Sequence, residues 1–350
     1  MDRRRFLSSF AALPVATALA GLPRPTLAQP APAAGLLPLK FSLDFRVTSQ
    51  TSPFFLALAR GYYREEGLDV TIDTGAGSVA SITRVASGAY DMSLGDISSL
   101  IEFHAQSPGK AAVQAVYQYY NRAPFVIIGR KDRGITTDFA SLRGKRVAAA
   151  AVESTRRLWP MVANRLKAGP DFFEWVTTDF AVRDNVMIRG DVDAATYFHD
   201  SAVSLFSRMP LEQLSVLEYA RAGLDLYGNA ILASRKLIAD KPQAVAGFLR
   251  ATNRALRETV ADVEPALAAI KAREPILNLE VERERWNITR GYVAAADTRA
   301  DGLGAVRSEL VSRQIADVAT VFGLEKPPAA AELYELSLLP PKAERMVAGA

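Results

Sequence analysis

Residues 74–100 read TGAGSVASITRVASGAYDMSLGDISSL, and this stretch indicates the fold class. A strand-like run at 68–72 precedes it, and apolar residues at helical spacing predict a helix over 79–86. A second strand is predicted at 91–94, and a second helix follows it at 97–106. Strands that alternate with helices in this order predict an α/β sheet with crossover helices.

The same alternation continues on both sides of this stretch. Upstream, residues 39–45 alternate like a strand, and a proline after a serine cap opens a helix over 53–63. Downstream, further strands are predicted at 112–119 and 125–129. These elements together make up one α/β lobe.

A second α/β pattern begins at residues 142–150. A helix over 154–167, broken or bent near Pro160, follows it, and strands are predicted at 192–198 and 214–219. From Lys241 onward nearly every segment has a helical pattern, with helices predicted over 244–260, 265–273, 281–295 and 306–322. The fold class predicted is therefore α/β, with two lobes, two hinge crossovers and a helical C-terminal part.

This pattern divides the chain into five segments. Crossovers between the lobes are expected near residues 130–135 and 223–234. The segments are an export signal at 1–28, a linker at 29–38, a first lobe at 39–132, a second lobe at 133–225, and at 226–350 a return crossover with helices that pack on the first lobe and a C-terminal strap. Two lobes joined at a hinge predict a ligand cleft between them.

The first 28 residues predict an export signal. Three arginines at 3–5 precede a short Ala-rich apolar run, and residues 26–28 form a small-x-small cleavage site. Consecutive arginines before Phe-Leu favour the twin-arginine type, with an ordinary secretory signal as the alternative. We expect the signal to be removed near Ala28 and the mature protein to be soluble in the periplasm.

Composition excludes several classes of chemistry. The chain has no cysteine, which excludes disulfides, thiolate metal sites, a cysteine nucleophile and a lipid-modified cysteine anchor. Four arginines and one aspartate lie within the first 28 residues, so the formal charge of the rest is +1, against +4 for the whole chain. This small charge argues against a nucleic-acid partner.

The glycine-rich loop at 75–80 has two interpretations. It has the form G-x-G-x-x-A and Asp96 lies 21 residues after Gly75, as in a dinucleotide-binding fingerprint. However, the strand before it alternates polar and apolar residues, and the loop follows the second strand of the lobe. The same turn offers backbone N–H groups at Gly77 and Ser78 to a small anion or acceptor. We favour this second use and keep an exported NAD(P)-dependent oxidoreductase as the alternative.

Four blocks of sequence resemble, in order and spacing, those of one protein family. The blocks lie at residues 52–70, at 75–78 with 84–91, at 138–147 and at 190–194. Over about residues 40–325 the chain resembles the periplasmic solute-binding proteins of ABC importers, in the nitrate, sulfonate, taurine and thiamine-pyrimidine-precursor group.

The resemblance implies a non-enzymatic receptor with two lobes around a ligand cleft, without cofactor or metal. Its implied partners are a small-molecule ligand and an inner-membrane ABC permease with a cytoplasmic ATPase. We expect no nucleic acid, no direct membrane insertion and a monomer. Ligand contacts in the family come from loops after the strands, which here hold Arg46, Thr48, Ser49, Gln50, Gly77, Ser78, Asp96, Tyr119, Asn121, Glu153, Ser154, Thr155, Tyr197, His199 and Asn229.

Two departures from the family pattern leave the ligand class open. Residues 43–48 keep only the Leu-Asp-aromatic start of the Leu-Asp-Trp-x-Pro-Asn motif of pyrimidine-precursor binders. Glu153 stands where sulfonate and nitrate binders have Gly or Ser, so it would repel an anion and accept from an amine, unless Arg156 and Arg157 reverse this effect. The candidates are a sulfonate, taurine or nitrate-like anion, an aromatic carboxylate, and a thiamine-precursor pyrimidine.

Some of these residues also have plain structural interpretations. Asp96 and Ser154 both stand where they would cap a helix, and capping would itself position them at a ligand. His104 shares helical spacing with apolar residues and is expected to pack, whereas His199 at a strand end is a better site candidate. Eukaryotic relatives that make the thiamine pyrimidine use their own histidine and a cysteine-rich segment, so a synthase of this kind is a further alternative that the absence of cysteine disfavours.

Overall fold

The structure is a computed structural model that describes residues 35–109 and 111–347. Within these residues the strands form two five-stranded sheets. They are β1 (Leu37–Ser42), β2 (Leu68–Asp73), β3 (Met92–Asp96), β4 (Val113–Gln118), β5 (Phe125–Arg130), β6 (Arg146–Ala149), β7 (Glu174–Thr177), β8 (Ala194–Phe198), β9 (Leu214–Glu218) and β10 (Asn229–Ser234). The export signal, its cleavage site and residues 29–34 of the linker lie outside the described residues.

The first sheet has the strand order β2-β1-β3-β10-β4. β1 lies parallel to β2 and β3, as crossover helices require. β10 is antiparallel to both β3 and β4. Residues 229–234 were expected to be part of a plain crossover, and this was wrong, because the returning chain fills the gap between two strands and completes their hydrogen bonding.

The second sheet has the order β7-β6-β8-β5-β9. β6 is parallel to β7 and β8, and β5 is antiparallel to β8 and β9. The expectation that β5 belongs to the first lobe was wrong. Its apolar run is buried on both faces and would suit the centre of either sheet, so the pattern alone does not say which sheet it joins.

Two crossovers at residues 119–124 and 219–228 join the sheets and lie against each other. The side-chain amide of Gln118 donates to the carbonyl oxygens of Tyr120, Gly228 and Asn229, at 2.8, 3.2 and 3.2 Å. A Cβ atom on Gly228 would lie 2.9 Å from Cβ of Tyr120 and 3.1 Å from Cα of Ala123. Glycine therefore allows the two crossovers to meet closely enough to form one hinge.

The helices cover the faces of both sheets. They are α1 (Ser52–Ala59), α2 (Tyr62–Glu65), α3 (Ser78–Ala86), α4 (Ile97–Gln106), α5 (Ser154–Arg157), α6 (Trp159–Leu166), α7 (Arg183–Arg189), α8 (Val203–Phe206), α9 (Arg235–Asp240), α10 (Pro242–Ala261), α11 (Glu264–Arg273), α12 (Leu279–Val293), α13 (Ala296–Asp301), α14 (Ser308–Phe322), α15 (Ala330–Leu333) and α16 (Lys342–Arg345). The predicted break near Pro160 is confirmed by the end of α5 and the start of α6. None of the described helices is both long and apolar enough to cross a membrane.

The C-terminal helices contact both lobes. α10 and α11 pack on α1, as expected for the first lobe, but α14 packs between α4 of the first lobe and α6 of the second. Leu310, Val311 and Ile315 of α14 are buried in an apolar cluster that includes Ile101 and Val162. The expectation that these helices pack on the first lobe alone was therefore wrong for α14, whose amphipathic face matches both lobes.

Candidate functional site

A narrow cleft lies between the two sheets. Its first-lobe wall consists of Asp44, Phe45, Gln50, Gly77 and Ser78. Its second-lobe wall consists of Glu153, Ser154, Phe180, Arg183, Phe198 and Ser201. Polar and aromatic side chains of both lobes therefore face one space.

The loop after β1 places Asp44 at the cleft. The side chain is buried, and its Oδ2 accepts a 2.6 Å hydrogen bond from Nδ2 of Asn229. Its Oδ1 has no hydrogen-bond partner among residues 35–109 and 111–347. Burial raises the pKa of Asp44 to about 7, although the bond from Asn229 lowers it. Asp44 is thus a buried acid with one oxygen open to a ligand.

The glycine-rich loop forms hydrogen bonds with the loop that carries Asp44. The N–H groups of Gly75 and Gly77 donate to the carbonyl oxygens of Phe45 and Asp44, at 2.9 and 2.6 Å. A Cβ atom on Gly75 would lie 2.0 Å from the carbonyl oxygen of Leu43. The close approach that requires glycine is therefore to the protein's own chain, and these two N–H groups are already used.

Gln50 lines the same wall, on a short 3₁₀ turn at Ser49–Thr51. Its side chain is buried, and within the described part of the chain its Oε1 has no donor. The Tyr119 hydroxyl donates to the Gln50 carbonyl oxygen at 2.6 Å, and Glu282 accepts from the Ser49 N–H at 2.6 Å. Tyr119 and Ser49 thus hold the turn that presents Gln50.

Glu153 and Arg183 form a buried ion pair on the opposite wall. Arg183 Nη1 lies 2.7 Å from Glu153 Oε1, and both side chains are 4% exposed. Thr196 donates to the other oxygen of Glu153 at 2.7 Å, and the guanidinium of Arg183 lies 3.8 Å from the ring centroid of Tyr197. Glu153 is therefore neutralised by Arg183 and is not a free carboxylate.

Aromatic rings close the sides of the cleft. Phe45 of the first lobe meets Phe180 of the second, edge to face, with 5.0 Å between ring centroids. Phe198 lies at the end of β8 and also lines the cleft. The space between the lobes is thus narrow and flanked by rings from both sides.

Five of the fifteen predicted site residues line the cleft, and ten do not. The five that line it are Gln50, Gly77, Ser78, Glu153 and Ser154. The other ten are Arg46, Thr48, Ser49, Asp96, Tyr119, Asn121, Thr155, Tyr197, His199 and Asn229. A direct contact between any of these fifteen residues and a ligand stays a prediction.

Asp96 and Asn229 form a polar layer behind Asp44. They are paired across β3 and β10, and Asp96 caps α4 by accepting from the Ser99 N–H at 2.9 Å. Burial raises the pKa of Asp96 to about 7. Its Oδ2 and Oδ1 of Asn229 have no partner among the residues that the structure describes.

Several cationic and imidazole groups named in the sequence have other partners. Arg157 forms an ion pair with Glu102 at 2.6 Å, and Arg156 Nη1 donates to the Thr177 hydroxyl at 2.9 Å. His104 Nε2 lies 2.7 Å from the carbonyl oxygen of Val113, in the packed position expected. His199 Nδ1 lies 2.9 Å from the hydroxyl of Tyr292. None of these four side chains lines the cleft.

Six residues that line the cleft were not predicted as site residues. The sequence patterns that could have identified them differ in strength. Asp44 and Phe45 belong to the Leu-Asp-aromatic segment, a family motif that was not assigned to the ligand. Phe180 and Arg183 lie between β7 and the start of α7, two short elements without a clear periodic pattern. Phe198 is the last residue of β8, and Ser201 lies just after it. At this strand end His199 was predicted as the site residue instead.

Metal ligation has no support at this site. In the described ranges, no group of three or more His, Asp or Glu side chains is placed to hold a metal ion. The cleft offers two acceptor oxygens without donors, three serine side chains, one paired guanidinium and three aromatic rings. This lining can bind a small solute that has a polar end and an apolar body.

Comparisons with known proteins identify relatives of two kinds. The family model described as NMT1/THI5 like matches residues 48–266. The chain is 24% identical to 4-amino-5-hydroxymethyl-2-methylpyrimidine phosphate synthase of Aspergillus parasiticus, over 73% of this chain and 76% of the relative.

Solved structures with a similar fold include two sulfonate-binding proteins. One is the alkanesulfonate-binding protein SsuA of Xanthomonas axonopodis pv. citri bound to MOPS, with a TM-score of 0.67 and 16% identity over 87% of this chain and all of the other. The other is the periplasmic aliphatic sulphonate binding protein SsuA of Escherichia coli, with a TM-score of 0.65 and 15% identity over 89% and 92%. At these identities the likeness shows the fold, which is that of periplasmic binding proteins, as predicted.

Proposed function

The chain belongs to the NMT1/THI5-like family, and we propose that it is the substrate-binding component of an ABC importer. In this role it captures a small organic solute between its lobes and delivers it to a membrane permease driven by a separate ATPase. The observation that carries the proposal is the cleft, whose lining comes from both lobes. Its structural neighbours include ligand-binding components of ABC-type import systems.

Capture is coupled to closure of the lobes. Asp44 and Gln50 lie on one wall, whereas Phe180 and Arg183 lie on the other, so a bound solute contacts both walls only when they are close together. A ligand stabilises the closed arrangement by the difference in its affinity for the closed and open forms. Gln118 holds the two crossovers together by hydrogen bonds. The lobes can move about these crossovers without unfolding either sheet.

The proposed location is the periplasm, where the receptor meets its permease. The predicted signal at residues 1–28 and the periplasmic origin of structural neighbours support this location. We propose that the mature protein works as a soluble monomer, since each lobe wall of the cleft comes from the same chain.

A pyrimidine synthase is the second candidate, because curated relatives carry that name. The cleft lining favours a receptor instead. Both histidines of the chain have partners elsewhere, His104 with Val113 and His199 with Tyr292. The ionisable groups at the wall are Asp44 and the mutually paired Glu153 and Arg183.

A thermal-shift screen of the purified protein tests this function. The panel contains taurine, alkane and aryl sulfonates, nitrate, aromatic carboxylates, aminopyrimidines, riboflavin and NAD(P)H. A solute at about 100 times its dissociation constant should add roughly 2.7 kcal/mol to the free energy of unfolding. Small-angle scattering with the stabilising solute should show a more compact particle. Consumption of the solute during incubation would contradict the receptor proposal, and so would stabilisation by NAD(P)H alone.

A further inference from the structure

Hydrogen-bond acceptors without donors are concentrated at the first-lobe wall of the cleft. Asp44 and Gln50 are 5% and 3% exposed, both line the cleft, and Asp44 Oδ1 and Gln50 Oε1 have no partner within residues 35–109 and 111–347. Behind them, Asn229 Oδ1 and Asp96 Oδ2 are unpartnered in the same part of the chain. Buried acceptors without donors are costly, so this wall favours a ligand that brings N–H or O–H groups.

The same wall has a buried carboxyl group that no cation pairs with directly in the described part of the chain. Asp44 has an amide as its hydrogen-bond partner, and among the described residues it forms no ion pair with a cation. The buried carboxyls of Asp96 and Asp200 are close enough to raise the pKa of Asp44 further. Arg183 does not offset this charge, because it is paired with Glu153 on the other wall.

The rings beside this carboxyl suit a cation. Phe45, Phe180 and Phe198 line the cleft with Asp44, and the faces of aromatic rings attract organic cations. The guanidinium groups of Arg46 and Arg183 lie over Phe45 and Phe180, 4.8 and 5.4 Å from the ring centroids, so these two rings offer a solute only their remaining apolar surface. An aromatic enclosure with one buried carboxylate is a typical environment for an ammonium or amidinium group.

We propose that the solute is an organic cation with N–H donors, such as an arylalkylammonium or an amidinium. Its charged nitrogen donates to Asp44 Oδ1 and Gln50 Oε1, and its apolar part lies among the three phenylalanine rings. Arg183 Nε, unpartnered within the described ranges, suits an acceptor atom at the other end of the solute. This inference rests on the proposed receptor function and names its ligand class. A sulfonate or nitrate placed directly at Asp44 and Gln50 would instead put its oxygens against unpartnered oxygens.

Five probes with the same ring but different charge test the proposal by calorimetry. Benzamidine and benzylamine are cations, benzyl alcohol is neutral, and benzoate and benzenesulfonate are anions. The wild-type protein should bind the two cations at millimolar or lower concentration and bind the anions at least tenfold more weakly. Asp44→Asn, which keeps the shape of the side chain, should weaken cation binding roughly tenfold or more, because it removes a charge-assisted bond.

Two further variants make the result specific. Gln50→Met removes the second acceptor with little change in volume and should weaken cation binding severalfold. Asp73→Asn is the matched control, because it makes the same change in net charge at the end of β2, outside the cleft, and can still accept from Tyr90. Its affinity for both cations should equal that of the wild type.

The outcomes separate this inference from the receptor function. Tighter binding of benzoate or benzenesulfonate than of benzamidine overturns the inference, and so does wild-type affinity of Asp44→Asn for the cations. Failure of both cations to bind also overturns it. In each of these cases the receptor function stands if another solute of the thermal-shift panel stabilises the protein and compacts it.

Discussion

Asp44 is a buried carboxyl group whose partner is an amide rather than a cation. Burial raises its pKa from the usual 3.8 to about 7. Between these two values the folded protein holds a proton that the unfolded chain has released. The free energy of unfolding that Asp44 provides is therefore present at low pH and lost as pH rises from about 4 to about 7.

The first prediction is that Asp44→Asn stabilises the ligand-free protein at alkaline pH. The amide cannot ionise, so the variant should melt several degrees above the wild type at about pH 8 and close to it at about pH 5. Melting temperatures measured across this range test it, with Asp73→Asn as the control for net charge. Parallel curves for Asp44→Asn and the wild type would show that Asp44 is not held protonated by burial.

The second prediction concerns the Glu153–Arg183 pair, in which each side chain is 4% exposed. Glu153→Gln or Arg183→Met leaves the other charge buried without its partner, and each should lower the free energy of unfolding by about 3–5 kcal/mol. The double variant should lose much less than the sum of the two. Denaturant titrations of the four proteins give the coupling energy, and additive losses would contradict the pairing.

The residues of the site were only partly predictable from sequence. The Leu-Asp-aromatic segment at 43–45 was recognisable because it belongs to a local motif. Glu153 was expected either to accept from a ligand or to be offset by Arg156 and Arg157, because its partner Arg183 is 30 residues away and follows an unpredicted strand. Side-chain pairing across a fold depends on which strands are neighbours, and local periodicity does not contain that information.

At the scale of elements, the glycine loop and the loop after β1 act as one unit. Gly75 packs so closely on Leu43 that a Cβ atom at position 75 would lie 2.0 Å from the carbonyl oxygen of Leu43. The loop that carries Asp44 and Phe45 must therefore move if residue 75 acquires a side chain. Gly75 belongs to the G-x-G-x-x-A pattern that suggested a dinucleotide site. In the structure this glycine allows the close contact between the two loops.

The third prediction is that Gly75→Ala weakens ligand binding and stability together. Displacement of the Asp44 loop should cost at least tenfold in affinity for the solute that the thermal screen identifies, along with about 1–3 kcal/mol of stability. Gly169→Ala is the matched control, because within the described residues a methyl group at position 169 would meet no atom within 4 Å and the backbone there is not left-handed. Calorimetry and thermal melting measure both effects. Wild-type affinity in Gly75→Ala would show that this contact does not position the site.

Elements were predicted well where their patterns are long and local. The helices α10, α11, α12 and α14 begin and end within two residues of their predicted bounds. β10 was missed, because its strand character comes from insertion between β3 and β4 rather than from its own six residues. β5 was recognised as a strand but assigned to the wrong sheet, since a run buried on both faces fits either one.

At the scale of the whole molecule, the lobes are joined by more than the two crossovers. Glu102 of α4 and Arg157 of α5 form an ion pair at 2.6 Å between the lobes, with side-chain exposures of 14% and 31%. α14 packs against α4 and α6, and its Asp317 lies 3.1 Å from Arg165 of α6. A movement that separates α4 and α14 from α5 and α6 would break these contacts, so they oppose such an opening.

The last prediction is that Glu102→Gln lowers affinity without touching the cleft. The variant loses an attraction between the lobes worth up to about 1 kcal/mol, so the ligand-free protein opens more often and the apparent affinity falls about two- to fivefold.

Glu65→Gln is the control, because its partner Arg254 lies on a helix that packs against its own, within one lobe. Small-angle scattering should show a larger ligand-free particle for Glu102→Gln alone. Added salt should weaken binding to the wild type more than to the variant, because only the wild type also loses the attraction between Glu102 and Arg157 to screening. Equal affinity and equal particle size for the two variants would mean that the Glu102–Arg157 pair does not hold the lobes together.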